Sequence, residues 1–168
     1  MDYYTLHEGG WTGAWLRSIK GIGPVTAGSM LGFIDIENAT VAGKIWSYAG
    51  LAVGQGHVRG VQSNFNPVFK TICWKVSMSF VYQGDHEENF YGRAIKERKA
   101  KEVALNEAGH FAEAALENLK KNIKSERYKD TLQSGKLSAG HLQARAMRWG
   151  VKLFLSHVHE VMYFERHG

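Results

Sequence analysis

Cysteine, proline and long apolar runs are scarce in this sequence. Cys73 is the single cysteine, so an intrachain disulfide or a zinc finger built on cysteine pairs is excluded. No apolar run approaches the ~18 residues of a membrane-spanning helix. The residues after Met1 are acidic and polar, unlike a signal peptide. We therefore expect no membrane contact and a cytoplasmic location, in the host cytoplasm if the protein is viral.

Two prolines leave room for long helices, and apolar residues recur at helical spacing along most of the chain. The sequence predicts an all-α fold, with a helix-hairpin-helix core and long additional helices. Three parts are expected: a core over 1–84, a helical insertion or arm over 85–137, and a basic and apolar helix over 138–168 that packs back on the core. The sequence predicts a first helix that ends at Lys20, a second that begins at Pro24 and a third over 39–49. A fourth helix is expected from Asn66-Pro67 to Gln83 and a fifth over 85–101. A sixth continues to about Lys124, and the last helix covers 138–165.

The stretch IKGIGPVTAG, residues 19–28, combines glycines and a proline in the pattern of a helix-hairpin-helix DNA-binding motif. Glycine permits positive φ and lets backbone N–H groups approach a phosphate, while the helix that begins at Pro24 offers its positive N-terminus. Ile22 is expected to lock the two helices together. The predicted DNA contacts are the side chains of Lys20 and Thr26 and the backbone N–H groups of Gly21, Ile22, Gly23 and Val25. The alternative is an αα-turn with a glycine cap.

A wider resemblance covers roughly residues 16–82. Gly21-Ile22-Gly23-Pro24, an acidic connector, Tyr48-Ala49-Gly50-Leu51 and Asn66-Pro67 are similar to the C-terminal domain of insertion-sequence transposases whose N-terminal half is RuvC-like with a DEDD carboxylate set. The segment from His141 to His157 is similar to the ends of archaeal and phage relatives of that domain. The resemblance implies DNA binding in recombination, replication or repair, in a phage or mobile element, and a monovalent cation held by hairpin carbonyls.

The sequence also departs from that family. The carboxylate-bearing half does not precede residue 16, and the run 52–58, which follows Tyr-Ala-Gly-Leu, lacks the serine implicated in strand cleavage; Ser63 lies nearby but does not match. We therefore predict no catalytic residue, no metal ligand and no cofactor besides that cation, and favour a binding protein over an enzyme. The alternative is a recombinase or nuclease whose site is completed by a partner.

Two further segments are candidate DNA contacts. The loop with Gly54, Gly56, His57 and Arg59 has the composition of a second, degenerate hairpin, or of an ordinary glycine loop. On the last helix His141, Arg145, Arg148 and Lys152 are spaced by 4, 3 and 4 and share one face, which suits phosphate contact or a solvated cationic face. The net charge of +5 is compatible with nucleic acid.

Aromatic and small residues leave two more alternatives open. Tyr82, Tyr91 and Trp149 are candidates for base stacking or for the core. Residues 104–119 form a narrow apolar stripe that predicts a partner helix or a homodimer contact; its members are Ala104, Ala108, Phe111, Ala112, Ala115 and Leu119. The sequence as a whole predicts a protein that binds the phosphate backbone of DNA, duplex or single-stranded, largely without sequence specificity.

Overall fold

The computed structural model describes residues 1–55, 60–121 and 129–168, and these contain helices and no strand. The all-α prediction is therefore confirmed for the described part of the chain. After a π-helical turn at Tyr4–Glu8, the α-helices are α1 (Gly10–Ser18), α2 (Pro24–Phe33), α3 (Ala42–Tyr48), α4 (Pro67–Tyr82), α5 (Phe90–Glu107), α6 (Ala112–Lys121), α7 (Lys129–Gln133) and α8 (Ala139–His167). No described helix has the length and apolarity that crossing a membrane would require.

Local signals begin three of the helices where the sequence predicts. Pro24 and Pro67 occupy the first turns of α2 and α4, where a missing N–H breaks no helical hydrogen bond. The Asn66 side chain accepts from the Phe69 N–H, and the Ser138 side chain caps α8 in the same way. These caps satisfy donors that would otherwise be unpaired at a helix start.

The start of α5 differs from the prediction, which placed a helix from residue 85. Asn89 is buried, and its amide donates to the carbonyls of Phe80 and Gly84 while its side-chain oxygen accepts from the Gly92 N–H. The same side chain thus holds the connection after α4 and caps α5. The helix begins at Phe90 for this reason.

The helix α8 is the spine of the main core. It packs against α1, α3, α4 and α5, and at Gly150 it lies so near α5 that an added Cβ would strike the Ile95 side chain. That glycine therefore permits the α5–α8 contact. The core cluster collects the largest buried side chains of α1, α2, α4, α5 and α8, among them Leu16, Met30, Phe69, Phe80, Ile95, Phe154, Leu155 and Val158.

A smaller cluster lies at the other end of α5. Leu132, Leu137 and Leu142 pack there with Ala115 of α6. Buried Asn106 pins the segment before α8, because its amide donates to the Leu137 carbonyl at 3.1 Å and its oxygen accepts from the Leu137 N–H at 2.8 Å. This cluster anchors α6 and α7 against the beginning of α8.

The prediction that residues 104–119 present one continuous apolar stripe on a helix is wrong. The chain leaves the helix after Glu107 and re-enters it at Ala112. Phe111, Ala115 and Leu119 pack into the smaller cluster, whereas Ala104, Ala108 and Ala112 are exposed. The homodimer contact expected from this stripe stays a prediction, but the continuous helical face that suggested it does not form.

Candidate nucleic-acid interface

The predicted hairpin joins α1 to α2 through residues 19–23. Gly21 has φ of 95°, which a residue with a side chain rarely adopts, and its position against α4 leaves little room for one. Ile22 is buried in the main core, as predicted. Gly23 is the N-cap of α2 and provides no side-chain cap, so the first N–H groups of that helix, including those of Val25 and Thr26, have no helical partner.

Two details of the hairpin prediction are wrong. The N–H of Ile22 donates to the Ile19 carbonyl at 3.0 Å, so it is not available to a phosphate. Gly23 has φ of −84° and ψ of 172°, ordinary extended backbone, so only Gly21 requires glycine for its conformation. Lys20 is partly exposed and makes no ion pair within the described residues.

The hairpin carbonyls are occupied by protein donors. The Ser79 hydroxyl donates to the Gly21 carbonyl at 2.7 Å, and the Arg17 guanidinium donates to the Ile22 carbonyl at 2.7 Å. A monovalent cation at these oxygens would stand beside the positive charge of Arg17, which is electrostatically unfavourable. The cation implied by the family resemblance stays a prediction that this geometry does not favour.

The glycine-containing loop and the basic face of α8, the other two predicted DNA-binding segments, meet in one groove of about 480 Å³. The groove lies between the loop that follows α3 and the two helices α5 and α8. Gly54 lines it, together with the three basic residues predicted on α8. Gly56, His57 and Arg59 lie outside the described residues. Among the described residues four cations and one carboxylate face the groove, which gives it a formal charge of +3; they are Arg98, Arg145, Arg148, Lys152 and Glu102.

Glu102 organises the arginines of this groove. Its side chain is only 2% exposed, its Oε1 accepts from Nε and Nη2 of Arg98 at 2.9 and 2.6 Å, and its Oε2 accepts from Nε of Arg145 at 2.7 Å. Burial alone would raise the pKa of Glu102, but the hydrogen bonds and charges of Arg145 and Arg98 outweigh it and hold the pKa below its usual value. The carboxylate is therefore charged and fully engaged near neutral pH.

Aromatic rings support the same cations. Arg98 lies over the Trp149 ring at 5.6 Å, Arg145 over the Phe111 ring at 4.4 Å, and the Lys152 ammonium over the Trp46 ring at 5.2 Å. Arg145 is thus held by the Glu102 carboxylate and the Phe111 ring, and is only partly exposed, rather than standing free as its place on a predicted basic face would suggest. Arg148 is exposed and has no ion pair or ring contact with any described residue.

A second depression of about 430 Å³ adjoins the groove at Arg148 and Leu51, which line both. Lys70 and Trp74 of α4 and His141 of α8 also face it. Burial, and then the charges of Arg148 and Arg145, lower the pKa of His141 below its ordinary value. The pKa is lowered because a proton on this partly buried ring would be poorly solvated and would also join a site that is already positive.

The hairpin and the groove lie on different sides of α4. Lys70 and Trp74 face the depression beside the groove, while Ser79 contacts the hairpin. Ser79 follows Lys70 by nine positions, which is about 180° around a helix. The predicted DNA contacts are therefore divided between two surfaces instead of one.

Sequence reasoning missed Lys70, Trp74, Arg98 and Glu102. Arg98 and Glu102 are an i, i+4 pair, a local signal that was available. Nothing local indicates that Glu102 meets Arg145, because these residues are 43 positions apart. Of the aromatic candidates, Tyr91 belongs to the core and binds His157, whereas Tyr82 and Trp149 are exposed.

Metal ligands are not gathered in the described part of the chain, where no three His, Cys, Asp or Glu side chains form a group able to hold an ion. Comparison of the chain with protein-family models, with curated proteins and with solved structures gives no match.

Proposed function

We propose that this protein binds the phosphate backbone of DNA without strong sequence preference, as an accessory factor in replication, recombination or repair of a virus or mobile element. The observation that carries the proposal is the groove, whose described lining residues include Arg98, Arg145, Arg148 and Lys152 against the one carboxylate of Glu102. A surplus of positive charge at one concave surface suits a polyanion.

The arrangement of the groove suits phosphate contact in particular. Guanidinium groups present N–H donors in a planar fork that matches phosphate oxygens, and two of the three are already oriented by Glu102. Contacts of this kind fix a protein on nucleic acid but carry no base information. Weak sequence preference follows from this.

The hairpin supports a second phosphate contact. The N-terminus of α2 has no side-chain cap, Gly23 leaves the backbone accessible, and Lys20 lies in the same turn. An anion at this position would satisfy unpaired N–H groups and interact with the positive end of the helix. The family resemblance of residues 21–51 points to DNA as the source of that anion.

Salt-dependent binding of labelled duplex and single-stranded DNA tests the proposal. The wild-type protein is compared with an Arg148→Gln/Lys152→Gln variant between about 50 and 200 mM salt. Loss of two phosphate contacts reduces the slope of log Kobs against log salt by about 1.8 for duplex DNA or about 1.4 for a single strand. Arg166→Gln is the control, because Arg166 lies on the same helix and makes only an exposed ion pair with Glu37.

The contribution of the hairpin is tested separately with Gly23→Asp and Gly23→Asn. Both side chains are good N-caps at a position with open space, so both variants are expected to fold. Only the aspartate repels a phosphate. Weaker DNA binding by Gly23→Asp than by Gly23→Asn supports the hairpin contact; no DNA binding by the wild type even at low salt would refute the proposed function.

A further inference from the structure

We propose that the surface on both sides of Arg148 binds single-stranded DNA, with Trp74 and Trp149 as platforms on which bases stack. The inference rests on the proposed function and specifies the form of DNA that this surface takes. We name the surface the tryptophan track; it consists of Lys70, Trp74, His141, Arg148, Trp149 and Lys152.

Two large indoles are exposed at the tryptophan track. Trp74 is 49% exposed on α4 and Trp149 is 37% exposed on α8. Trp74 lines the depression with Lys70 and His141, and Trp149 lines the groove with Arg98 and Lys152. Each exposed ring therefore stands next to positive charge.

Arg148 connects the two halves of this surface. It lines both depressions, it is exposed, and it is unpaired within the described residues. A phosphate bound at Arg148 would place its two flanking nucleotides toward Trp74 on one side and Trp149 on the other. Leu51 also lines both depressions and adds an apolar side chain to each.

This combination of groups distinguishes a single strand from a duplex. In a duplex the base faces are stacked on one another, so a protein reaches phosphates and base edges but not the faces. A single strand offers both phosphates and base faces, and proteins that bind it pair a cationic groove with aromatic platforms. Cations alone would serve either form, whereas two exposed indoles beside them add stacking contacts that only unstacked bases can make.

The Trp149 platform is also held in place before any strand arrives. Arg98 lies over the Trp149 ring and is itself fixed by the buried carboxylate of Glu102. Less side-chain freedom is lost on binding when the binding groups are already ordered. The ion network of the groove thus orders the stacking platform as well as the charges.

The test compares labelled oligothymidylate with duplex DNA of equal length, using Trp74→Ala and Trp149→Ala. Base–aromatic stacking predicts that each alanine variant binds oligothymidylate about 5- to 150-fold more weakly, with duplex binding within about two-fold of wild type. Trp74→Phe and Trp149→Phe should retain most of the affinity, because a phenyl ring still stacks. Oligothymidylate should also quench the tryptophan fluorescence of the wild type, and quench less in each Phe variant.

Trp11→Ala is the matched control, because Trp11 is 53% exposed but contacts Phe164 near the far end of α8. It should bind oligothymidylate as the wild type does, and circular dichroism checks that every variant is folded. Unchanged affinity in the folded alanine variants, duplex binding without binding of oligothymidylate, or preference for single-stranded RNA overturns the inference while leaving backbone binding standing. Absence of binding to any DNA refutes the proposed function instead.

Discussion

The Glu102 carboxylate and the Arg145 guanidinium are joined by a hydrogen bond of 2.7 Å between Oε2 and Nε, across 43 residues of sequence. Glu102 is buried on α5 and Arg145 is partly exposed on α8, so the bond ties the two helices that line the cationic groove. Arg98 completes the network on the other carboxylate oxygen. The groove therefore depends on one buried anion for its geometry.

Replacement of Glu102 by glutamine should destabilise the fold and disorder the groove. The amide retains the size of the side chain but removes the charge that two guanidinium groups share, and we expect a loss of about 1.5–3 kcal/mol in the free energy of unfolding. Urea denaturation measures it. Glu107→Gln is the control, since Glu107 makes only an exposed ion pair with Lys136, and it should lose at most about 1 kcal/mol. Equal losses in the two variants would contradict the role assigned to Glu102.

The pH dependence of stability should reveal His141. Its pKa in the folded protein lies below the ordinary value of 6.5, so the unfolded chain binds the proton more readily. Stability associated with His141 is complete above pH 6.5 and is lost as the pH falls through the lower, folded pKa. His141→Gln should lose less stability than the wild type between about pH 7.5 and 5.5. Parallel curves would show that the ring is not partly buried beside Arg148 and Arg145.

DNA binding should raise the pKa of His141, which burial and the neighbouring arginines lower in the free protein. A phosphate in the tryptophan track would offset the charges of Arg148 and Arg145 and favour the protonated ring. We expect the pKa of His141, followed by NMR, to rise when oligothymidylate is added. The resonances of His7 serve as a chemical-shift reference, because that residue lies in the N-terminal π-helical turn and lines neither depression. An unchanged pKa under saturating DNA would contradict phosphate binding at this surface.

Gly21→Ala and Gly32→Ala should change stability in opposite directions. Gly21 has φ of 95°, and its new Cβ would come within 3.2 Å of the Ser79 hydroxyl oxygen, so the variant should lose about 1–3 kcal/mol. Gly32 is exposed within α2 with open space beside it, and alanine there should add up to about 1 kcal/mol. Thermal melts of the two variants and the wild type measure the signs. A stable Gly21→Ala protein would mean that the hairpin has another conformation.

Glu165 should act as a cap for a helix far away in the sequence. Its carboxylate accepts from the N–H groups of Trp11 and Thr12, at 2.6 and 3.1 Å, and from the Thr12 hydroxyl, while the N-cap residue of α1 offers no side chain. Glu165→Ala should lose about 1 kcal/mol, as other lost caps do. Glu160→Ala, an exposed position on the same helix, should lose less. Equal melting temperatures for the two variants would exclude the cap.

The pH dependence of this cap follows from the same contacts. Burial raises the pKa of Glu165, but the hydrogen bonds from Thr12 and Trp11 outweigh it and the pKa is lowered overall. Its contribution to stability is therefore present above pH 4.5 and is lost as the pH falls below that value through the folded pKa. Glu165→Gln should flatten the acid side of the stability curve relative to wild type.

Local signals in the sequence were sufficient for much of the helix order. Pro24, Asn66-Pro67 and Ser138 begin helices where predicted, because a proline or a cap acts on backbone groups within one turn of itself. The same reasoning located Ile22 in the core and the basic residues of α8 on one face. The prediction of a positive φ was wrong at Gly23, because a glycine in a turn does not by itself indicate a positive φ.

The composition of the groove was set by contacts between helices that are distant in the chain. Which carboxylate meets Arg145, and whether Trp149 faces solvent or core, depends on how α5 and α8 pack, and that packing depends on close approaches such as Gly150 to Ile95. The separation of hairpin and groove by α4 has the same origin. Periodicity assigns a side chain to a face of its own helix, but burial across the whole core determines what that face meets.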